Sequence, residues 1–246
     1  MKALLKAGLR PAQRWVWGHR ALKARNLLRF AETEADGGRD IVRAAELTTD
    51  PLLRRLFIFH ARDEQRHAEL FRRRGTDILL SLPLDARGVA ETGWLTPGER
   101  GLDDLRVGDE SDASLLAFLH LSEKSAAEDF ALYRDLLADD PETRAVFEQI
   151  LHDETFHMNY TLAQLKRVAP RKHGWSLWFA RLKRLWAGYL RIAGAVAGVT
   201  SRIVLTVIYF VLLPPFAWLA QRAQRKEAAG WSATAKRGAD AMKGQY

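Results

Sequence analysis

Residues 50–67, DPLLRRLFIFHARDEQRH, and residues 140–157, DPETRAVFEQILHDETFH, carry one pattern twice, D-P-x-x-R-x-x-F-x5-D-E-x-x-H, at a constant offset of 90. An internal repeat constrains architecture before any other signal, because each copy must be one structural unit. Both copies read as helices. Proline stands at the first helical position, where its missing N–H costs nothing, and Asp50 or Thr49 in the first copy and Asp140 in the second can cap. The first helix is expected to run to about Arg74, with Gly75 as its stop, and the second to about Val168, ahead of Pro170. A further helical stretch precedes each copy, over residues 20–47 and 112–138. These stretches match with a one-residue shift, Glu32-x-x-Ala35 against Glu123-x-x-Ala126. Residues 75–111, rich in Gly, Asp and Pro, join the two halves. The expected fold is therefore all-α: over residues 20–170, two helical hairpins with one long crossover make a four-helix bundle. No stretch alternates as a half-buried strand does.

Glu64 and His67 are three residues apart and share a helix face, as do Glu154 and His157. Leu53, Leu56, Phe57, Leu70 and Phe71 lie on or beside that face in the first copy, so the polar pairs point toward a core. Glu32 and Glu123 stand in the partner helices among Leu28, Ala31, Leu119 and Ala127. Four buried carboxylates cannot stay ionised uncompensated, since each desolvated charge costs several kcal/mol. Two divalent ions would neutralise them, with the imidazoles as nitrogen ligands. One Glu from each of two helices plus Glu-x-x-His from each of the other two is the ligand plan of dimetal carboxylate bundles. Mixed oxygen and nitrogen donors suit iron or manganese. With 14 Glu and 7 His in 246 residues, chance supplies about 0.4 of one Glu-x-x-His pair; two occur, at equivalent places in a repeat.

Supporting residues follow from the same spacing. Asp63 and Asp153 directly precede the ligand carboxylates. Each is expected to orient one of the histidines from the second shell, because a metal-bound imidazole normally donates its other N–H. His60 and His120 lie on the ligand faces and are read as second-shell or core groups. Tyr133 and Tyr160 are read mainly as packing residues. Gly37-Gly38 marks a kink, a substrate opening or a close helix approach.

The set Glu32, Glu64-x-x-His67, Glu123 and Glu154-x-x-His157 resembles that of the ferritin-like diiron carboxylate proteins, rubrerythrin-like domains in particular, over roughly residues 20–168. The resemblance implies the bundle, a pair of iron ions, and chemistry with dioxygen or peroxide. Two departures narrow it. Rubrerythrins have a further carboxylate one turn after the third ligand, where this chain has Ala126. They also usually carry a cysteine-ligated iron module, and this chain has no cysteine. The outline is closer to that of membrane-bound diiron oxidases and quinone hydroxylases.

The last third differs in character. Residues 171–246 hold 13 Lys/Arg and two acids, a net charge of +11, while residues 1–170 carry −3. Ile203 to Ala220 is 18 residues without a charge, and the run reaches back to Ile192 with only Arg202 interrupting. That length is at the lower bound for a membrane span. Pro214-Pro215 should kink or break it. Ahead of it Trp175, Trp178, Phe179, Trp186 and Tyr189 recur at helical spacing among basic residues, as suits the headgroup boundary. Residues 171–246 are thus expected to be a basic, membrane-associated region with a hydrophobic segment over 192–220, binding lipid rather than nucleic acid. Both flanks of that segment are positive, so charge does not orient it. Residues 1–19 form a further amphipathic segment, with Trp15 and Trp17, and hold no secretory signal. The N-terminal domain is placed in the cytoplasm, at the inner membrane if the chain is bacterial.

The function expected is an oxidoreductase acting on a lipophilic or small organic substrate. Its electrons would come from a partner protein or a reduced quinone, and the chain would dimerise with itself. The alternatives are iron oxidation, iron storage or peroxide detoxification at a membrane, and a membrane adaptor with a structural metal site.

Overall fold

The computed structural model describes residues 2–90, 107–108 and 110–224. These residues form helices and no strand, so the chain is all-α as described. They separate into two compact units, Met1–Ala187 and Gly188–Tyr246. Residues 171–187 fall in the first of these units, and Leu177 and Ala180 pack in its core.

In the first unit, α1 (Lys2–Gly18) precedes α2 (Arg20–Leu47) and α3 (Pro51–Leu80). A short α4 (Leu84–Ala90) follows, then α5 (Asp112–Leu136), α6 (Pro141–Val168) and α7 (His173–Val207), of which residues 173–187 belong to this unit. Helix α2 packs along α3, α5 packs along α6, and α3 meets α6. Residues 91–106 and 109 of the expected crossover lie outside the described residues.

The D-P of each repeat starts a helix. The Asp50 carboxylate accepts from the backbone N–H of Leu52 and Leu53 at 2.9 and 3.1 Å, and Asp140 accepts from that of Thr143 at 3.1 Å. Such caps are worth about 1 kcal/mol each. Each capping carboxylate also ties its helix to another. Arg167 of α6 donates to Asp50 at 2.5 Å, and Arg74 of α3 donates to Asp140 at 2.9 Å. Lys23 of α2 adds a third hold on Asp140 at 2.6 Å. Burial raises the Asp140 pKa, but the hydrogen bonds from Lys23 and Thr143 outweigh it and hold the group well below the usual carboxylate range.

Two apolar clusters fill the interior. One holds Ile41, Leu53, Phe57, Leu116, Leu119 and Leu165; the other holds Leu27, Phe71, Phe130, Phe147 and Ile150. Along each of α2, α3, α5 and α6 the two clusters use opposite ends of the helix. The mid-helix positions left between them are those around Glu34, Glu64, Glu123 and Glu154. The repeat's two phenylalanines, Phe57 and Phe147, are both fully buried, one in each cluster. Burying such a side chain contributes about 1.5–3 kcal/mol. Trp17 of α1 also lies in the second cluster, 2% exposed, so this end of the N-terminal segment packs in the core.

Two glycines let α2 and α3 approach: Gly75, expected as a helix stop, and Gly38, where close approach was one of the expected readings. Helix α3 continues through Gly75, where a Cβ would stand 3.0 Å from Leu28 Cγ and 3.2 Å from Leu27 Cβ. Helix α2 continues through Gly37-Gly38. A Cβ on Gly38 would meet Gln65 Nε2 at 2.6 Å, with Ala61 O and Glu64 Cβ at 3.2 Å. Gln65 can swing away at the cost of its 3.1 Å hydrogen bond to Ala35 O, but a backbone carbonyl cannot. Gly38→Ala is therefore expected to destabilise the protein by about 1–3 kcal/mol. Thermal unfolding followed by circular dichroism should show a midpoint several degrees lower.

The second unit, as far as it is described, is the end of α7, a π-helical turn (Ile208–Leu212) and α8 (Leu213–Gln224). The helical run His173–Ala223 contains a stretch long and apolar enough to cross a membrane, and none of that stretch is buried. Pro214-Pro215 does not break the run. The prolines fall in the first turn of α8, and the π-helical turn before them shifts the backbone register. In that turn the Leu213 N–H reaches Ile208 O, five residues back. Trp175, Trp178, Phe179, Trp186 and Tyr189 are all exposed along α7.

Candidate metal centre

Four helices contribute to one buried polar cluster at mid-height of the first unit. Helix α3 presents His60, Glu64 and His67 at i, i+4 and i+7, hence on one face. Helix α6 presents Glu154 and His157, α5 presents Glu123, and α2 presents Glu34. The side chains form two overlapping groups. His60, Glu64, Glu123 and His157 make one; Glu34, Glu64, His67 and Glu154 make the other. Within each group one ligand atom per residue lies within 4.8 Å of all the others. Glu64 belongs to both groups.

Two aspartates orient two imidazoles across the repeat. Asp153 of the second copy receives His67 Nε2 of the first at 3.1 Å, and Asp63 of the first receives His157 Nε2 of the second at 3.2 Å. Arg66 joins both aspartates, at 2.9 and 2.8 Å. The hydrogen bond from His157 keeps Asp63 below the usual carboxylate range. Burial raises the Asp153 pKa, but bonds from His67 and Arg66 override it. Both aspartates are therefore ionised acceptors for the two Nε2–H groups. In a neutral ring held this way, Nδ1 is the lone-pair donor.

Those Nδ1 atoms are buried and without a hydrogen-bond partner, as is Glu154 Oε2. His67 Nδ1 stands 3.4 Å from Glu154 Oε1, and His157 Nδ1 stands 3.6 Å from Glu64 Oε1. A lone pair set against a carboxylate oxygen in a dry site is unfavourable unless a cation lies between them. An aspartate fixing the far nitrogen while the near one faces carboxylates is the carboxylate–histidine–metal arrangement.

The carboxyl groups respond to the same crowding. Burial, then the neighbouring carboxylates, pushes Glu64 and Glu123 well above the usual range. Glu154 is raised to about 8, again first by burial. Glu34, Glu123 and Glu154 add to the rise at Glu64, and Glu154 and Glu34 to that at Glu123, so the four acids crowd one another where cations would otherwise separate them.

Five of the six residues expected as ligands, Glu64, His67, Glu123, Glu154 and His157, come together here. Glu32 does not. Its side chain is 51% exposed, 3.8 Å from Arg72. The reason is helical phase. Glu34 lies on the buried stripe of Leu27, Ala31, Gly38 and Ile41, whereas Glu32 shares its face with Arg25, Arg29, Asp36 and Arg39. His60, expected as second shell, places a ring nitrogen in the first group. Its Nε2 is 3.0 Å from Glu64 Oε1 and 3.5 Å from Glu123 Oε1, and its Nδ1 is 2.7 Å from the Tyr160 hydroxyl. Burial, then His157 and His67, lowers the His60 pKa well below its ordinary value, so the ring is neutral. His120 is outside both groups and bonds to Met158 O at 2.9 Å, holding α5 to α6. Tyr133 packs against Trp17 in the aromatic cluster, and Ala126 packs beside that cluster.

Asp153→Asn is expected to weaken metal binding about 10–100-fold by freeing the His67 ring. Titration against a chromophoric chelator would measure it.

Comparison of the chain with protein-family models, with curated proteins and with solved structures returned no match.

Proposed function

We propose that the first unit is a ferritin-like four-helix bundle, made of two helical hairpins and a long crossover, that holds a pair of iron ions. We further propose that it works at a membrane as an oxidoreductase on a lipophilic or small organic substrate. The observation that carries this reading is the pair of orphaned imidazole nitrogens, His67 Nδ1 and His157 Nδ1, facing Glu154 and Glu64. Two bound iron ions supply electron exchange with dioxygen or peroxide. Manganese fits the same donors.

The chain's own residues set the conditions for that chemistry. Glu64 belongs to both positions, so it ties them together. Glu34 and Glu154 complete one position with His67; Glu123 and His60 complete the other with His157. Asp63, Asp153 and Arg66 fix the rings from outside. The two apolar clusters above and below exclude water, which strengthens each interaction inside. Burial raises the pKa of Tyr160, so its Oη stays protonated beside His60 Nδ1 and can hold or relay a proton there.

With no cysteine in the chain, electrons come from outside, from a partner protein or a reduced quinone. The apolar helix of the second unit supports lipid as a partner, and we place the first unit on the cytoplasmic side, at the inner membrane if the chain is bacterial. A homodimer is consistent with the fold class.

The test is dioxygen uptake by full-length, detergent-purified protein loaded anaerobically with ferrous iron. In the presence of a water-soluble reduced quinone, uptake is expected to continue past the amount the bound iron alone accounts for. Uptake that stops at one iron-limited burst with every reductant tried would favour iron oxidation and storage instead.

A further inference from the structure

On the side of α5 away from the carboxylates, a cavity of about 340 Å³ opens between the start of α5 and the first turns of α7. Phe118, Trp175 and Phe179 give it an apolar wall, and Lys172, Lys183 and Arg184 stand around it. Glu110 is the acid in the lining, and its carboxylate already pairs with Lys183 at 2.5 Å. A second hollow shares Arg184 and adds Arg181 and Lys124, with Glu128 as its acid. The two hollows together present five cations and two acids. Lys172, Lys124 and Arg181 form no ion pair among the described residues.

We infer that this groove holds the headgroup of an anionic phospholipid, with the phosphate among Lys172, Lys183 and Arg184 and the first methylenes against Phe118, Trp175 and Phe179. The inference rests on the membrane reading of the second unit. The volume is at the low end of small-molecule sites, about 300–1,000 Å³. It suits a phosphoglycerol group and the start of its chains, not two whole acyl tails. The charge excess favours an anion, and the aromatic wall favours one that carries an apolar body. A free phosphate would leave Phe118, Trp175 and Phe179 facing water. Exposed Trp and basic side chains on one helix are also how proteins meet the headgroup layer.

The experiment is native mass spectrometry of the full chain released from detergent with added phosphatidylglycerol or phosphatidylcholine. One phosphatidylglycerol is expected to stay bound, with at least tenfold preference over phosphatidylcholine. Lys172→Glu/Lys183→Glu is expected to abolish that preference. Ser114→Trp, which fills the cavity without changing charge, is expected to lower retention by a similar factor. Glycerol 3-phosphate at the same concentration should not be retained. Equal retention of the two lipids by the wild type, or an unchanged preference in both variants, would overturn the inference. Retention of glycerol 3-phosphate as strong as that of the lipid would overturn the lipid assignment. Carbonate extraction of membranes separates the premises. Protein that stays in the membrane but shows no lipid preference defeats the groove alone, whereas protein released by carbonate defeats the membrane reading as well.

Discussion

Replacing Glu64 by alanine is expected to empty both metal positions at once. Glu64 is the one side chain common to the two ligand groups, 5% exposed and beside the orphaned nitrogen of His157. Its loss removes a donor from each position, and the effect should exceed the roughly 10–100-fold that losing an outer-shell partner costs. The neighbouring acids sharpen the test. Glu34→Ala and Glu123→Ala each remove a ligand from one group only, so bound metal should fall by about half in each. Glu32→Ala should leave metal content unchanged, because that side chain faces Arg72 at the surface. Elemental analysis of the four variants beside the wild type would read the pattern directly. Loss of metal in Glu32→Ala with retention in Glu34→Ala would reverse the assignment.

The second large effect is a pH dependence that changes sign with metal. In the metal-free protein, burial raises Glu64 and Glu123 well above the ordinary carboxylate value of 4.5 and raises Glu154 to about 8. The unfolded chain titrates these groups near 4.5, so above that pH the folded state binds more protons than the unfolded one. Stability from a raised pKa is lost as pH rises through the folded value. His60 works the other way, because its pKa is lowered well below 6.5, and it adds stability as pH rises toward 6.5. The clean window is therefore about pH 6.5–8, where the carboxyl groups act alone. Across it the metal-free protein should lose stability on the order of a few kcal/mol. With metal the sign reverses, because ligation requires deprotonated carboxyls and affinity grows with pH. Thermal unfolding at several pH values, with chelator and with excess ferrous iron under anaerobic conditions, should give midpoints that diverge as pH rises. Parallel curves would show that the acids and the metal do not compete.

Part of this arrangement was legible in the sequence because it is written twice. The D-P of each repeat became a capped helix start, its Phe a core residue, and its Asp-Glu-x-x-His an oriented imidazole beside a buried carboxyl. Two members of the cluster that the repeat does not write twice, His60 and Glu34, were not read as ligands. The matching position to His60 is Ile150, a buried aliphatic, so the second copy gave no hint that His60 stands beside Glu64, Glu123 and His157. Glu32 and Glu34 both lie near the place matching Glu123, and an alignment of flanking residues favoured the wrong one. Helical phase separates them, since Leu27, Ala31, Gly38 and Ile41 set the buried stripe. Gly75 carries a helix-stop signal, yet the close packing of α2 on α3 makes use of its missing side chain, as it does of that of Gly38. Pro214-Pro215 carries a break signal that a π-helical turn absorbs.

The central claim, that the buried cluster is a dimetal site, is tested most directly by metal content. Full-length protein would be purified in detergent, loaded anaerobically with ferrous iron, freed of excess, and analysed beside Glu64→Ala/His157→Ala. About two iron ions per wild-type chain and almost none in the double variant is the expected result. No stoichiometric metal in the wild type, with helical content and cooperative unfolding intact, would contradict it.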